Sequence, residues 1–277
     1  MIIVKLSGGL GNQMFQYAAG VALSKKLESK LYMDLGWFNE VSENPELTNR
    51  VYELAGFGIN PASISLLDKL SYRLNPPRVF REESFNYNPA FKGLHGNTIL
   101  DGYWQSYKYF EDYREDILKV FSFPDQVSIE NQELLRKVSG SDSISIHVRR
   151  GDYTTKAGRN FHGLIPLTYY TKALTQICKK ANYPSLFIFS DDIEWCKRNV
   201  RYGLPTTYID GNSPNNGVED MRLMSACKHS IIANSSFSWW AAWLNTNPSK
   251  IVIAPKKWFA DKTIGTKDLV PPKWKRI

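Results

Sequence analysis

The chain of 277 residues has few cysteines, no long apolar run and no block of like charge. Its three cysteines are widely spaced and lack a C-x-x-C pair, which argues against a disulfide framework or a zinc site and fits a reducing compartment. The most apolar stretch, IIANSSFSWWAAWL, is interrupted by Asn and Ser and falls short of a bilayer span. The opening MIIVKLSGGLGN has too short an apolar run for a signal peptide. These absences predict a soluble cytoplasmic protein.

The net charge of +8 is substantial but is not gathered into long runs, and the densest basic stretch is the terminal PKWKRI. Such scattered basic residues favour an anionic small molecule as the ligand, and no nucleic-acid partner is expected. We hypothesise that the PPKWKRI end rests on an anionic membrane, which would make the protein peripheral to the inner face of that membrane.

Apolar strands alternate with helical stretches along much of the chain, a pattern typical of α/β folds. MIIVKL and LYMDL are predicted strands on either side of a helix, whereas residues 36–100 are predicted to be an irregular insertion with a helical patch at ISLLDKLSYRL. From residue 143 onward, five predicted strands alternate with four helices, which indicates a doubly wound parallel sheet. The composition of the linker SGSDS suggests a boundary between domains 1–140 and 141–277.

The stretch SISIHVRRGDY, residues 143–153, contains an alternating strand that ends in two adjacent arginines. Arginine forks suit a diphosphate, and two neighbouring arginines repel each other unless an anion lies close by. Alternation places Arg149 and Arg150 on opposite faces, so that one could bind the ligand while the other pairs with a carboxylate such as Asp152. The alternative is a salt-bridge network at the strand end that serves the fold alone.

The glycine-rich loop SGGLGNQ, residues 7–13, lies between a predicted strand and helix, where a phosphate could approach the backbone. It is not a Walker A loop, and Met14 occupies the third glycine position of a dinucleotide fingerprint. The alternative is a tight turn with Asn12 as the helix cap.

Two further polar clusters follow predicted strands. In Ser190-Asp191-Asp192, a loose capping box of Asp191 with Glu194 is at least as favoured as a ligand contact, and a metal is the least favoured. The run from Asn234 to Ser238 opens a helix and predicts a second anion pocket there, because hydroxyls and amides join the helix dipole.

Four stretches in order, GGLGNQMFQYA, HVRRGDY, FSDD and MSACKHSIIANSSFSWWAAWLN, resemble glycosyltransferase family 11, the bacterial and animal α-1,2-fucosyltransferases. The resemblance spans nearly the whole chain. It implies a GT-B-like α/β fold of two facing Rossmann-type domains with parallel sheets, 1–140 on the acceptor side and 141–277 binding GDP-fucose. It also implies inverting transfer of L-fucose to the 2-hydroxyl of a terminal galactose in a glycan acceptor, giving Fuc-α-1,2-Gal, with no cofactor and no metal.

By the same resemblance, the catalytic residues would be His147, Arg149, Arg150 and Asp152. His147 and Arg149 would lie at the GDP phosphates, and Asp152 and His147 are the candidates for the base. Asp220 would read the N–H edge of guanine. The full set of expected donor-binding residues is Gly9, Leu10, Gly11, Asn12, Gln13, Ser190, Asp191, Asp220, Asn234, Ser235, Ser236 and Phe237.

Two other functional classes stay open at this level. A nucleotide-sugar enzyme or NAD-dependent oxidoreductase would use the first β-α-β unit, but the missing third glycine and the absence of a Tyr-x-x-x-Lys pair at Tyr169 weigh against it. A lectin-like or nucleic-acid-binding module would use the basic charge and the aromatic residues. The sequence does not name the acceptor, although residues 36–110, with Tyr103 and Trp104 among their aromatics, are expected to shape its site.

Overall fold

The computed structural model describes residues 1–42, 50–63, 65–212 and 217–277, and these fall into two compact units. The first unit comprises Met1–Ser122 together with Ile264–Val270, and the second comprises Phe123–Thr263 together with Pro271–Ile277. Each unit contains one sheet whose strands pair in parallel, with helices in the connections. This is the α/β, GT-B-like architecture of two Rossmann-type units that the sequence predicts.

The first unit has a four-stranded sheet in the order β2-β1-β4-β3. Its strands are β1 (Ile2–Lys5), β2 (Leu31–Asp34), β3 (Arg78–Arg81) and β4 (Thr98–Asp101), and its helices are α1 (Leu10–Lys26), α2 (Gly36–Ser42), α3 (Leu66–Leu74) and α4 (Arg114–Val120). The predicted helical patch is α3, although Ile64 at its predicted start lies outside the described residues. The prediction of an irregular 36–100 was wrong for β3 and β4, because the edge strand RVFR is mostly exposed and shows no apolar run.

The second unit has a six-stranded sheet in the order β10-β9-β8-β5-β6-β7. Its strands are β5 (Ser143–Val148), β6 (Ser185–Ser190), β7 (Thr206–Tyr208), β8 (His229–Ile231), β9 (Val252–Ala254) and β10 (Lys275–Arg276). Its helices are α5 (Ile129–Ser139), α6 (Lys156–Phe161), α7 (Leu167–Cys178), α8 (Ile193–Asn199), α9 (Gly217–Ala226) and α10 (Ser236–Leu244). The five predicted strands and the helices between them are all present. The central strand β5 is buried along its whole length, so both of its faces pack against other parts of the unit.

The division between the units lies before α5, whereas the boundary predicted from composition, at residue 140, lies after it. Helix α5 packs against α9 of the second unit, and Asn131 in its first turn donates to the Glu219 carboxylate at 3.3 Å. This buried polar contact holds α5 against the second unit. The flexible composition of SGSDS therefore does not mark the boundary between the units.

The basic end of the chain is built into the second unit. Lys275 and Arg276 form β10 at the edge of the sheet, and the ring of Trp274 lies 5.4 Å from that of Trp239. Arg276 donates to the carbonyl of Lys256 at 2.8 Å. The PPKWKRI segment is therefore largely part of the fold. Within the described part of the chain, no helix is both long and apolar enough to cross a membrane.

Tyr169 of α7 connects two strands of this sheet through its hydroxyl. The group lies 2.7 Å from the carbonyl of Ile232 and 3.0 Å from that of Ile253, and all of these atoms are buried. We predict that Tyr169→Phe lowers the free energy of unfolding by about 1–2 kcal/mol, because the buried hydrogen bond that the hydroxyl donates to these carbonyls is lost. Urea denaturation measures the change. Tyr183→Phe, at an exposed tyrosine, is the matched control, and equal stability of the two variants would contradict the prediction.

Candidate functional site

Strands β8, β5 and β6 are neighbours in the second sheet and run in parallel, so their carboxyl ends meet at one edge. Three of the predicted clusters follow these strands directly, and the fold brings them together at that edge. The residues concerned are His147, Arg149, Arg150 and Asp152 from β5 and the loop after it, Ser190 and Asp191 from the end of β6, and Asn234, Ser235, Ser236 and Phe237 after β8.

Arg149 is held between two carboxylates. Its guanidinium lies 2.6 Å from Asp152 Oδ1 and 3.1 Å from Asp191 Oδ2. Asp191 also accepts a hydrogen bond from the backbone N–H of Arg150 at 2.8 Å. A Cβ on Gly151 would stand 2.4 Å from the Asp191 carboxylate, so any other residue there would displace Asp191 from Arg149. The two acids fix the direction of the Arg149 side chain before any ligand arrives.

Arg150 has its own partners. Its Nε lies 3.1 Å from Asp192 Oδ2, and its guanidinium stacks on the ring of Trp195 at 3.7 Å. The sequence analysis expected one arginine to pair with a carboxylate and the other to await an anion, but both are paired. Since these two arginines face three aspartates, an incoming anion has to compete with carboxylates for the guanidinium groups.

The acids after β6 also stabilise the local fold. Asp192 caps α8 by accepting from the backbone N–H of Trp195 at 3.2 Å, so the capping residue is Asp192 and not Asp191 as expected. Ser190 donates to the carbonyl of Val148 at 2.7 Å and accepts from the N–H of Asp192 at 3.0 Å. Ser190 and Asp191 therefore hydrogen-bond to the backbone at the ends of β5 and β6 and stabilise that edge of the sheet.

His147 is buried near the end of β5, with its ring 5.6 Å from that of Phe237. Its Nδ1 has no hydrogen-bond partner among the described residues. Burial, reinforced by the positive charge of Arg149, lowers the pKa of His147 to about 3. The imidazole is thus neutral at physiological pH, and it can offer a ligand a neutral donor or acceptor.

Asn234 connects the loops that follow β5 and β8. Its side-chain amide donates to the backbone carbonyls of His162 at 2.9 Å and of Trp258 at 3.1 Å. The backbone carbonyl of Asn234 accepts from the Tyr153 hydroxyl at 3.1 Å. The rings of Tyr153 and His162 stack at 4.1 Å with planes only 3° apart. Tyr153 directly follows the RRGD run, but its role and that of His162 were missed, because ring stacking between two neighbouring segments leaves no periodic pattern in the sequence.

Helix α10 begins at this edge. Its N-cap, Ser235, has an extended backbone, and within the described chain its side chain makes no capping hydrogen bond. Ser236 and Phe237 occupy the first turn, where backbone N–H groups and the positive end of the helix dipole face the edge of the sheet. Such a helix start is suited to an anion.

Asp220 stands in the first turn of α9, next to a second polar cluster. It accepts from Asn212 Nδ2 at 2.7 Å, and burial raises its pKa. The neighbouring Glu219 forms a bidentate ion pair with Arg222, with the closest approach at 2.9 Å. A cavity of about 410 Å³ opens beside these groups. Its lining residues are Pro124, Gln126, Ser128, Glu130, Asn131, Gly211, Asn212 and Glu219.

The glycine-rich loop lies in the first unit, between β1 and α1. Gly8 has a φ of +73°, which favours glycine, and Gly9 is the helix N-cap. Asn12 is therefore inside α1 and is not its cap, and its Oδ1 accepts from Gln105 Nε2 at 2.9 Å. Gln13 is fully buried and holds the loop by donating to the carbonyl of Gly8 at 2.9 Å. Leu10 and Gly11 are buried in the first turn of the helix.

A second feature of the first unit escaped the sequence analysis. At the carboxyl ends of β3 and β4, Glu82 accepts from the backbone N–H groups of Tyr103 at 2.7 Å and of Trp104 at 3.0 Å. Trp104 is buried with a φ of +56°, an unfavourable conformation for a tryptophan. Burial raises the pKa of Glu82 to about 7 in spite of these two hydrogen bonds. The carboxylate holds a strained turn that presents the exposed ring of Tyr103, stacked on Phe85 at 6.0 Å.

Comparisons with known proteins identify the family to which the chain belongs. The model of the family described as glycosyl transferase family 11 matches residues 90–277. The alpha-1,2-colitosyltransferase of Escherichia coli is 33% identical, covering 100% of this chain and 99% of that protein. The O-antigen biosynthesis glycosyltransferase WbnK of Escherichia coli is 36% identical, with coverages of 92% and 94%.

More distant proteins share the sequence pattern or the fold. The galactoside 2-alpha-L-fucosyltransferase Sec1 of Mus musculus is 26% identical over 88% of this chain and 64% of its own length. The solved structure of the fucosyltransferase NodZ from Bradyrhizobium has a TM-score of 0.50 at 16% identity, covering 87% of this chain and 90% of that one. This likeness concerns the fold. Among residues 1–42, 50–63, 65–212 and 217–277, no group of three or more His, Cys, Asp or Glu side chains is placed to hold a metal ion.

The buried, neutral state of His147 has a consequence for stability. Its pKa lies below the ordinary value, so the unfolded chain binds a proton near pH 6.5 that the folded chain does not bind until about pH 3. Stability therefore falls as the pH falls, and His147 accounts for about 2 kcal/mol of the loss between pH 7 and pH 5. We predict that in His147→Gln the free energy of unfolding, measured by urea titration, falls by about 2 kcal/mol less between pH 7 and pH 5 than it does in the wild type. His95→Gln, at an exposed histidine, should leave the full loss, and an unchanged loss in His147→Gln would contradict the prediction.

Proposed function

Because the chain belongs to glycosyl transferase family 11, we propose that it transfers L-fucose from GDP-fucose to the 2-hydroxyl of a terminal galactose. The product is Fuc-α-1,2-Gal, and the configuration at the sugar C1 is inverted. The second unit binds the nucleotide sugar, and the first unit binds the galactose-terminated glycan. The names of two relatives, an alpha-1,2-colitosyltransferase and a galactoside 2-alpha-L-fucosyltransferase, support the linkage.

The observation that carries this proposal is the meeting of Arg149 and the start of α10 at one edge of the second sheet. A planar guanidinium and a row of backbone N–H groups together suit a diphosphate. The carboxylates of Asp152 and Asp191 orient Arg149 while the site is empty, and the donor phosphates take over part of its hydrogen bonding. A ligand with several negative oxygens therefore binds Arg149 more strongly than a ligand with a single negative charge.

The chemistry follows from where charge develops. The bond between the sugar C1 and the β-phosphate oxygen breaks, its electron pair stays on GDP, and the galactose 2-oxygen bonds to C1 from the opposite face. The proton of that hydroxyl passes to solvent water. Arg149 and the helix start stabilise the negative charge on GDP, so the proposal needs no metal. With a pKa of about 3, His147 is a weak base, and we assign it a neutral contact with the donor. Asp152 is a positioning residue for Arg149.

The most direct test of this function is release of GDP from GDP-fucose in the presence of EDTA, with and without lactose. Release that needs lactose and survives EDTA, with an α-1,2 linkage in the product, supports the proposal. Colitose activated with GDP is the competing donor, because one relative is named for that sugar. A value of kcat/KM that is at least about tenfold higher with the colitosyl donor would overturn the choice of fucose while leaving the reaction class intact. No release from either donor would overturn both.

Asp220 is proposed to read guanine. A carboxylate can accept from both N1–H and the 2-amino group of that base. Burial raises the pKa of Asp220, so donors beyond Asn212 Nδ2 would stabilise its charged form. We predict that Asp220→Asn weakens GDP binding at least about tenfold and abolishes the preference for GDP over IDP, which lacks the 2-amino group. Calorimetry measures both constants. Asp210→Asn, at an exposed aspartate, is the control, and an unchanged preference in Asp220→Asn would contradict the assignment.

The acceptor is proposed to meet the turn held by Glu82. Sugar rings pack on aromatic faces, and Tyr103 is an exposed ring that Phe85 supports from one side. Gln105 follows in the same turn and donates to Asn12 at 2.9 Å, which connects the turn to the glycine-rich loop. This arrangement supports an acceptor site at the carboxyl edge of the first sheet.

We predict that Tyr103→Ala raises KM for lactose about tenfold and leaves KM for GDP-fucose within about twofold, because only the acceptor loses a packing surface. Tyr183→Ala, at an exposed tyrosine of the second unit, should leave both constants unchanged. Initial rates with each substrate varied in turn give the two constants. An unchanged KM for lactose in Tyr103→Ala would remove Tyr103 from the acceptor site.

A further inference from the structure

Helix α3 in the first unit directs its apolar side toward solvent. Leu66, Leu67, Leu70 and Leu74 are 83%, 79%, 54% and 78% exposed. At 100° per residue these four leucines occupy one arc of about a third of the helix surface. Single exposed leucines are ordinary, but four on one short helix form a continuous apolar face, called here the leucine face.

The orientation of α3 is fixed by a polar contact on its opposite side. Asp68 points toward the sheet, where it accepts from the Tyr32 hydroxyl at 2.7 Å and from Lys30 Nζ at 2.9 Å. The leucine face lies roughly opposite Asp68 around the helix axis. The usual amphipathic arrangement is therefore reversed, because the acid is turned inward and the leucines outward.

Basic residues border the leucine face. Lys69 and Arg73 lie along one side of it on α3, and Arg78 follows at the start of β3. All three are exposed, and none of them forms an ion pair with an acid among the described residues. An apolar stripe with lysine and arginine at its border is the pattern of a helix that lies in the interface of an anionic bilayer.

We propose that α3 is an interfacial helix that inserts the leucine face into the surface of a membrane containing anionic lipids. The flanking basic residues decide between this occupant and a second copy of the chain. In a symmetric dimer through α3, the same positive charges would face one another, whereas acidic headgroups would neutralise them.

This assignment moves the expected membrane contact away from the end of the chain. The PPKWKRI segment is engaged in β10 and in the packing of Trp274, so it offers the exposed Lys273 and Lys275 but no large exposed apolar side chain that could insert. Helix α3 is held by Lys30 and Tyr32, at the amino end of β2, while Tyr103 stands beyond the carboxyl end of β4. A membrane at α3 therefore leaves the acceptor edge of the first sheet uncovered. The inference does not depend on which sugar is transferred.

The test is flotation of the full-length protein with vesicles of phosphatidylcholine alone, or of phosphatidylcholine and phosphatidylglycerol in equal parts. The wild type should float with the anionic vesicles and remain behind with the neutral ones. Leu66→Ser/Leu74→Ser should reduce the bound fraction at least about tenfold, because the inserted apolar area is lost. Lys69→Gln/Arg73→Gln should weaken binding by up to about thirtyfold at low salt.

Matched controls distinguish binding through the leucine face from nonspecific adsorption of exposed apolar side chains to vesicles. Ile129→Ser/Tyr183→Ser removes two side chains of similar exposure, 70% and 75%, from the second unit and should bind like the wild type. Transfer to lactose in solution should be equal in all of these variants, which shows that they are folded. If transfer is absent throughout, flotation still tests the membrane contact, so the two proposals fail separately.

Four results would overturn the inference. One is a wild type that floats with neither kind of vesicle, and another is a leucine variant that floats as well as the wild type. A third is a dimer, detected by light scattering, that the leucine substitutions convert to a monomer and that does not float; a second copy would then be the occupant. Loss of flotation in Lys273→Gln/Lys275→Gln with the leucine variant unaffected would return the contact to the chain end.

Discussion

Parallel pairing of β5 with β6 on one side and β8 on the other is the constraint on which the site in the second unit depends. It brings the arginines after β5, the aspartates after β6 and the start of α10 after β8 to a common edge. The ion pair between Arg149 and Asp191 at 3.1 Å ties the first two strand ends together, and Asn234 ties the first to the third. No single segment contains the site.

The edge carries arginines that suit an anion, but its charged groups do not sum to a positive charge. Three aspartates outnumber two arginines, and His147 is neutral because its charged form would be buried beside Arg149. A monoanion gains little from replacing a carboxylate that is already in place. A diphosphate brings more charge and more oxygens, and the first turn of α10 adds backbone donors that the carboxylates do not use.

Much of this arrangement was predictable from the sequence. Period-2 alternation identified β5, and strand-helix alternation identified the rest of the second sheet, because its strands are apolar and separated by clear turns. The short strands β3 and β4 were missed, since RVFR is exposed at a sheet edge and carries two charges in four residues. Pairings between separate segments left no periodic trace in the sequence, which is why the Tyr153–His162 stack, the hydrogen bonds of Glu82 and the place of α5 in the second unit appeared only in the structure.

The central claim is that Arg149 binds the diphosphate of a guanine nucleotide, and calorimetry with GDP and with guanosine tests it most directly. The account predicts that Arg149→Gln weakens GDP binding at least about tenfold and leaves guanosine binding unchanged, because only the phosphate contact is lost. Arg201→Gln, at an exposed arginine of the same unit, should bind GDP like the wild type. Equal affinity of the wild type and Arg149→Gln for GDP would contradict the account, because the cluster after β5 would then serve only to fold the chain.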